Sequence, residues 1–233
     1  MTQTFIPASQ LKQEFNVFGH FYSLHGLCAD PLMCRSVLEI TSKAAQSQPM
    51  ADAVFVMMNP GSSRPIKETN YAVSSDDISK MSPKLVPTVP DTTQYQVMRI
   101  MHYLKWHCVR VINLSDLRDP KCGSFYQRYK QMKRESDTTT HSVFSSQRSA
   151  ELKLYLSRKH NGPIICAWGV SDDLNPIIEM ATATLSSETA VTGLTKQGHP
   201  WKYFHPLPSL QSQKEQWIAQ MLELLRVKPV VQL

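Results

Sequence analysis

The sequence predicts an α/β fold: a three-layer α/β/α sandwich around a central, mainly parallel four-stranded sheet, in a single domain over residues 1–233. Residues 53–65, Ala-Val-Phe-Val-Met-Met-Asn-Pro-Gly-Ser-Ser-Arg-Pro, form an apolar run that stops at a polar turn, as a buried strand of a parallel sheet does. Cys108-Val-Arg-Val-Ile-Asn113 and Pro163-Ile-Ile-Cys-Ala-Trp168-Gly169 repeat that pattern. Segments of helical spacing alternate with these runs, which implies crossovers covering both faces of the sheet.

Along the chain, residues 15–24 are aromatic-rich and fit either an extended or a helical segment. Asp30-Pro31 reads as an N-cap with Pro in the first turn, leading a helix to about Ala45. Residues 66–90 are polar, contain Pro83, Pro87 and Pro90, and are expected to close over the site as a long connection. From Thr92 the pattern is helical, with Val97, Ile100, Met101 and Leu104 on one face. A helix from about Ser146 to His160 stops at Asn161-Gly162, and another follows from about Asp172 to Thr184. Trp201-Lys-Tyr-Phe204 is the expected fourth strand. Ser212 with Glu215 suggests a capping box for a last helix that buries Trp217, Ile218, Met221 and Leu225.

Composition bounds the function. The hydrophobic fraction of 42% suits a globular domain, no apolar run approaches the roughly 20 residues of a membrane span, and residues 1–12 lack a signal-peptide core. A cytoplasmic monomer with no membrane contact is expected. Cys108 and Cys166 fall in strands, and Cys28, Cys34 and Cys122 have no Cys-x-x-Cys spacing, so no disulfide, metal or cofactor is expected. Between Lys121 and Lys159 nine Lys or Arg face three acids, which accounts for the whole net charge of +6. Lys121, Arg128, Lys130, Lys133 and Arg134, interleaved with Phe125, Tyr126 and Tyr129, suit a phosphate backbone; a solvated helical face is the competing reading. There is no Gly-x-Ser-x-Gly elbow beside Ser62 and Ser63, and no Walker A loop.

Ligands of open α/β sheets bind beyond the carboxyl ends of the strands. Those ends carry Asn-Pro-Gly, Asn, Trp-Gly and His-Pro-x-Pro. Met57-Met58-Asn59-Pro60-Gly61, Val111-Ile112-Asn113, Ala167-Trp168-Gly169 and His205-Pro206-Leu207-Pro208-Ser209-Leu210 together resemble the motifs of the uracil-DNA glycosylase superfamily, in order, over about two thirds of the chain. The first motif is of the mismatch-specific Asn-Pro-Gly type. The chain is also similar to an uncharacterised bacterial and phage family with comparable elements.

The resemblance implies a monofunctional glycosylase acting on DNA. Asn59 would position the attacking water, and His205 would donate a hydrogen bond to the pyrimidine oxygen on which charge develops. Asn113 would read the edge of a flipped base, with Met58, Gly61 and Tyr71 around it. Ser62, Ser63, Arg64, Leu207, Ser209 and Leu210 would contact DNA, the last three including the wedge that fills the flipped base's place.

Each of these residues also has a structural reading: Asn-Pro-Gly as a tight turn, Asn113 as a strand-end hydrogen bonder, His205 as a packed histidine, and the aromatics as core. Asn59 stands where many relatives have Asp and cannot take a proton at neutral pH. Gly61 stands where uracil-specific members have Tyr, which suggests room for a C5-enlarged pyrimidine such as hydroxymethylcytosine or its glucosylated form in phage DNA. A nucleic-acid-binding module without catalysis, a housekeeping uracil or mismatch repair glycosylase and a nucleoside hydrolase are the alternatives. Asp76, Asp77 and Asp116 are the next candidate acids.

Overall fold

The computed structural model describes residues 4–45, 49–136 and 138–226; Asp137, counted in the basic stretch, lies outside the described residues, as does the side chain of Cys122. The fold is α/β with a mixed sheet. Its strands are β1 (Phe15–His25), β2 (Leu32–Ser42), β3 (Ala53–Met57), β4 (Arg64–Pro65), β5 (Ala72–Ser74), β6 (Val86–Val89), β7 (Cys108–Asn113), β8 (Ile164–Ala167) and β9 (Val191–Thr192). They lie in the order β4-β6-β1-β2-β7-β3-β8-β9, with β5 on β1. β7, β3, β8 and β9 pair in parallel, whereas β2 is antiparallel to both β1 and β7.

Three expectations give way here. Residues 32–42 are a strand rather than a helix, because Val37, Leu38 and Ile40 are buried between two neighbouring strands, and Asp-Pro marks a turn as readily as a helix start. The outer parallel strand is β9; residues 201–204 make only isolated bridges from Tyr203 to Gly169 and Thr195. Residues 66–90 are not a free connection. They hold β5, a 3₁₀ turn (Ser75–Lys80) and β6, stitched to β1 and β4. The sheet is therefore a larger, mixed one instead of the expected four-stranded, mainly parallel sheet.

Strand alternation sends side chains to opposite faces. Val54 and Val56 join a cluster with Phe125 and Tyr129 of α3 (Cys122–Glu135), Leu152 and Tyr155 of α4 (Ser149–Leu156) and Ile177 and Ala181 of α5 (Asn175–Leu185). Ala53, Phe55 and Met57 join another with Leu11 of α1 (Ala8–Glu14), Val97 and Met101 of α2 (Thr92–Leu104) and Trp217 and Met221 of α6 (Gln211–Arg226). Each fully buried aliphatic or aromatic side chain contributes about 1.5–3 kcal/mol, so β3, buried along its whole length, is the fixed reference of the molecule.

The helix that starts at Thr92 is present, and its N-cap is Asp91 in a capping box with Gln94. α4 ends at Leu156, earlier than expected, and Asn161 takes a left-handed φ of 60° beyond it. α6 begins at Gln211, so Ser212 and Glu215 lie inside it, and Leu222 rather than Leu225 completes its buried face. No helix among the described residues is long and apolar enough to cross a membrane.

Candidate functional site

The site is built where the chain leaves β3. The segment after β7 keeps pace with it: Leu114 N–H donates to Met57 O (2.8 Å) and Ser115 N–H to Met58 O (3.2 Å). This brings two carbonyls over Asn59, whose Nδ2 donates to Asp119 O (2.8 Å) and Leu117 O (3.4 Å). The amide is thereby oriented, and its Oδ1 accepts no hydrogen bond among the described residues.

Asn113 and Ser63 are buried in the support of this turn. With its amide turned so that oxygen and nitrogen both meet complementary neighbours, Asn113 Nδ2 donates to Asn59 O (3.1 Å) and Oδ1 accepts from Arg35 Nη2 (3.2 Å). Arg35 Nη1 donates to Pro60 O (3.3 Å) and to Ser63 Oγ, and Ser63 Oγ–H donates to Pro60 O. Burial lowers the Arg35 guanidinium to about 10, offset in part by Asp91, so it stays charged at neutral pH. Asn113 is fully buried, with its amide engaged at both ends, and takes the place of a structural residue rather than a base reader. Ser63, equally buried, is withdrawn from the expected DNA contacts, while Ser62 and Arg64 are exposed. Met58 is buried core.

Gly61 has a reason of its own. Its φ is +65°, and an added Cβ would lie 2.5 Å from Asp91 Oδ2. The same oxygen accepts from Ser62 N–H (3.2 Å), and Asp91 Oδ1 accepts from Thr93 N–H (2.9 Å) at the start of α2. Glycine is thus required by the backbone and by a carboxylate packed against it. Room for an enlarged base no longer follows from Gly61, and a Gly61→Tyr variant would disturb the turn whatever the substrate.

His205, from the other end of the chain, lies within electrostatic reach of Asp91, the carboxylate on that turn. Trp168 Nε1 donates to Trp201 O (2.8 Å) and Gly169 N–H to Tyr203 O (2.8 Å), so the Trp-Gly turn after β8 holds the segment that carries His205. Gln96 of α2 donates to Pro206 O (2.8 Å), and Trp217 of α6 to Phe204 O (3.1 Å). Leu207 N–H donates to His205 Nδ1 (3.2 Å), which leaves Nε2 as the protonated nitrogen of the neutral ring. Burial depresses its pKa to about 4 against the opposing charge of Asp91, so the ring is neutral at pH 7. Asp91 therefore links the Asn59 turn, α2 and His205. Sequence reasoning passed over it, although its Asp-x-x-Gln capping spacing was visible.

The remaining expected residues divide. Leu210 is 60% exposed and Ser209 is exposed, with Leu207 half-buried and Phe204, unforeseen, 46% exposed. Tyr71 stacks at a tilt on buried His20 (5.4 Å) and its hydroxyl accepts from Ser82 N–H, so it belongs to the β5 edge. Phe125 and Tyr129 are core, and Tyr126 is partly buried against it.

Lys121, Arg128, Lys133 and Arg134 are exposed, but Lys130 pairs with Asp173 (2.6 Å). Arg148 is buried between Asp116 and Glu151, Arg158 pairs with Glu188, and Lys159 with Asp52. The basic stretch is thus not one continuous face. Asp116, engaged by Tyr22 and Arg148, is internal, while Asp76 and Asp77 lie in the first turn of the 3₁₀ helix Ser75–Lys80. A cavity of about 590 Å³ beside α4, lined by Ser149, Lys153, Leu156 and His160 among others, contains none of Asn59, Asp91 and His205.

Comparisons with protein-family models, curated proteins and solved structures found no match to this chain.

What the residues can do follows from their chemistry. An amide pinned through its nitrogen offers a fixed acceptor, and a neutral imidazole with Nδ1 occupied offers a fixed donor. Among the described residues no group of three or more His, Cys, Asp or Glu side chains is placed to hold a metal ion.

Proposed function

We propose that the protein is a monofunctional DNA glycosylase that hydrolyses the N-glycosidic bond of a flipped-out pyrimidine and leaves an abasic site. The observation that carries this reading is that Asp91, which packs on the turn of Asn59, also acts on His205: Asn59 is held through Nδ2 with Oδ1 uncommitted, and His205 is a neutral ring whose Nδ1 is occupied by Leu207 N–H. Asn59 Oδ1 accepts a hydrogen bond from water and aims it at the sugar carbon. The C–N bond breaks with its electron pair on the base, the water oxygen bonds to the sugar, and its proton passes to solvent. His205 Nε2–H stabilises the charge gathering on the base oxygen, a role worth several kcal/mol in comparable sites. Leu210, exposed on the loop after His205, is the wedge for the vacated stack.

The parallel strands β7, β3, β8 and β9, with helices contributing to both clusters, are the part of the sheet that answers to the expected sandwich, and Asn59 leaves its centre. The protein acts as a monomer in the cytoplasm. A C5-modified pyrimidine of invading DNA, such as hydroxymethylcytosine or its glucosylated form, is one reading of the substrate, with a defence role, and Gly61 no longer argues for it because the backbone requires the glycine. A housekeeping uracil or mismatch repair role is the second reading, favoured by the backbone reason for Gly61.

Incubation with oligonucleotides carrying uracil, mismatched thymine, hydroxymethylcytosine or glucosylated hydroxymethylcytosine, followed by alkali, tests both. Scission only at the enlarged bases supports defence, and scission only at uracil or mismatched thymine supports repair. No scission anywhere leaves a binding module.

A further inference from the structure

We propose that Arg64 and Arg118 form a binding site for the phosphodiester backbone of DNA, on the turn that carries Asn59. Three guanidinium groups gather there. Arg35 lies beneath the turn, bonded to Pro60 O, Ser63 Oγ and Asn113. Arg118, half-buried in the segment after β7, donates Nε–H to Ser63 O (3.1 Å) and lies 5.2 Å from the Phe21 ring centroid. Arg64 follows Ser63 directly and is exposed.

Burial first lowers the proton affinity of both Arg35 and Arg118; beyond it Arg118 adds to the lowering of Arg35, against the larger opposing effect of Asp91, and Arg64 adds to that of Arg118, against Cys34. Asp91 and Asp116 act on Arg35, the innermost. Neither Arg64 nor Arg118 makes an ion pair among the described residues. Arg110, Arg148 and Arg158 by contrast each reach a carboxylate: Glu39 at 2.9 Å, Asp116 at 2.7 Å and Glu188 at 3.1 Å. The turn therefore gathers three cations; Asp91 and Asp116 offset the innermost, Arg35, while Arg64 and Arg118 reach no carboxylate among the described residues.

An anion would pair with both. Arg118 commits only Nε, so its two terminal nitrogens stay available, and the Arg64 guanidinium makes no hydrogen bond among the described residues, its backbone pairing with Val89 of β6. Planar guanidinium forks match phosphate oxygens in pairs. The exposed Ser62 hydroxyl adds a donor at the same turn. Position selects DNA over a free anion: Leu117, next to Arg118, and Asp119 supply the carbonyls that hold the Asn59 amide. A phosphate bound here is coupled through short backbone links to the group that faces the sugar. The inference rests on the glycosylase reading only for the identity of the nucleic acid.

Fluorescence anisotropy with a labelled duplex oligonucleotide over a range of salt concentrations tests it. Arg64→Gln and Arg118→Gln should each lower the log–log salt slope by about 0.9, and Arg118→Lys should retain it. Arg64 is exposed, so its variant keeps the fold; circular dichroism checks Arg118→Gln.

Unchanged slopes in folded variants, or no binding of DNA by the wild type, would overturn the site. Displacement of DNA by micromolar mononucleotide in the wild type but not in Arg64→Gln would assign the site to a free phosphate ester and overturn the DNA assignment. Slopes that fall while no base is excised would refute the glycosylase and keep the phosphate site. Excision with unchanged slopes would do the reverse.

Discussion

If the protein is a glycosylase as proposed, Asn59 and His205 act in different ways, and their variants should show it. Asn59→Ala removes the water acceptor and His205→Ala the donor to the departing base, so each should lower the single-turnover rate by about 10² or more while DNA affinity changes little. Equal loss in binding and rate would mean that neither acts on the chemical step. Asp91 separates charge from geometry. Asp91→Ala loses the cap of α2 and the contact to Ser62 N–H, and should cost about 0.5–2 kcal/mol in urea denaturation. Asn is as good an N-cap as Asp, so Asp91→Asn should keep most of that stability; a loss as large as with Ala would show that the charge itself holds the turn.

At the scale of an element, α3 shows why a basic segment cannot be read from charge alone. Phe125, Tyr129 and Met132 follow one another at i, i+4 and i+7 and are buried, so the interleaved aromatics are the packing stripe of an amphipathic helix. The lysines and arginines between them are the solvent side, and Lys130 is already paired. Reversing Arg128, Lys133 and Arg134 should still flatten the salt dependence of DNA binding if this face follows the backbone. An unchanged slope, beside a reduced one for Arg64→Gln, would confine the DNA contact to the Asn59 turn. The strand β2 has the same lesson in reverse: its apolar residues fit a helical stripe too, and pairing with β1 and β7 decided between them.

For the whole molecule, buried titratable groups set the pH dependence. Burial depresses His20 and His205 to about 4 and His141 to about 3, from an ordinary value of 6.5. The unfolded chain therefore binds more protons through this window. The stability contributed by neutral burial is full above about pH 6.5 and is lost as the pH falls toward the folded values. Asp116 opposes this: burial outweighs Arg148 and raises its carboxyl to about 6, so the folded state gains a proton first and recovers part of the loss below pH 6. Urea midpoints should fall between pH 7 and pH 4.5, and His141→Asn, if folded, should shrink that fall. A flat profile would mean that these histidines titrate near 6.5 when folded.

By itself the sequence determined the three parallel strands, the helix from Thr92 and the last amphipathic helix, because each is a long run of one period with a clear stop. It also singled out Asn59 and His205 as candidates, since turn-forming residues after apolar runs are local signals. The β1–β2 hairpin, the stitching of residues 66–90 onto β1 and the short β9 were decided only by tertiary structure: an edge or antiparallel strand is specified by its partner, and no local period records the partner. The same holds for function. Asn113 and Ser63 look available in the sequence, but Arg35, remote in the chain, draws both into the support of the turn. Asp91 looks like a helix cap, and only the fold sets its carboxylate against Gly61 and within electrostatic reach of His205.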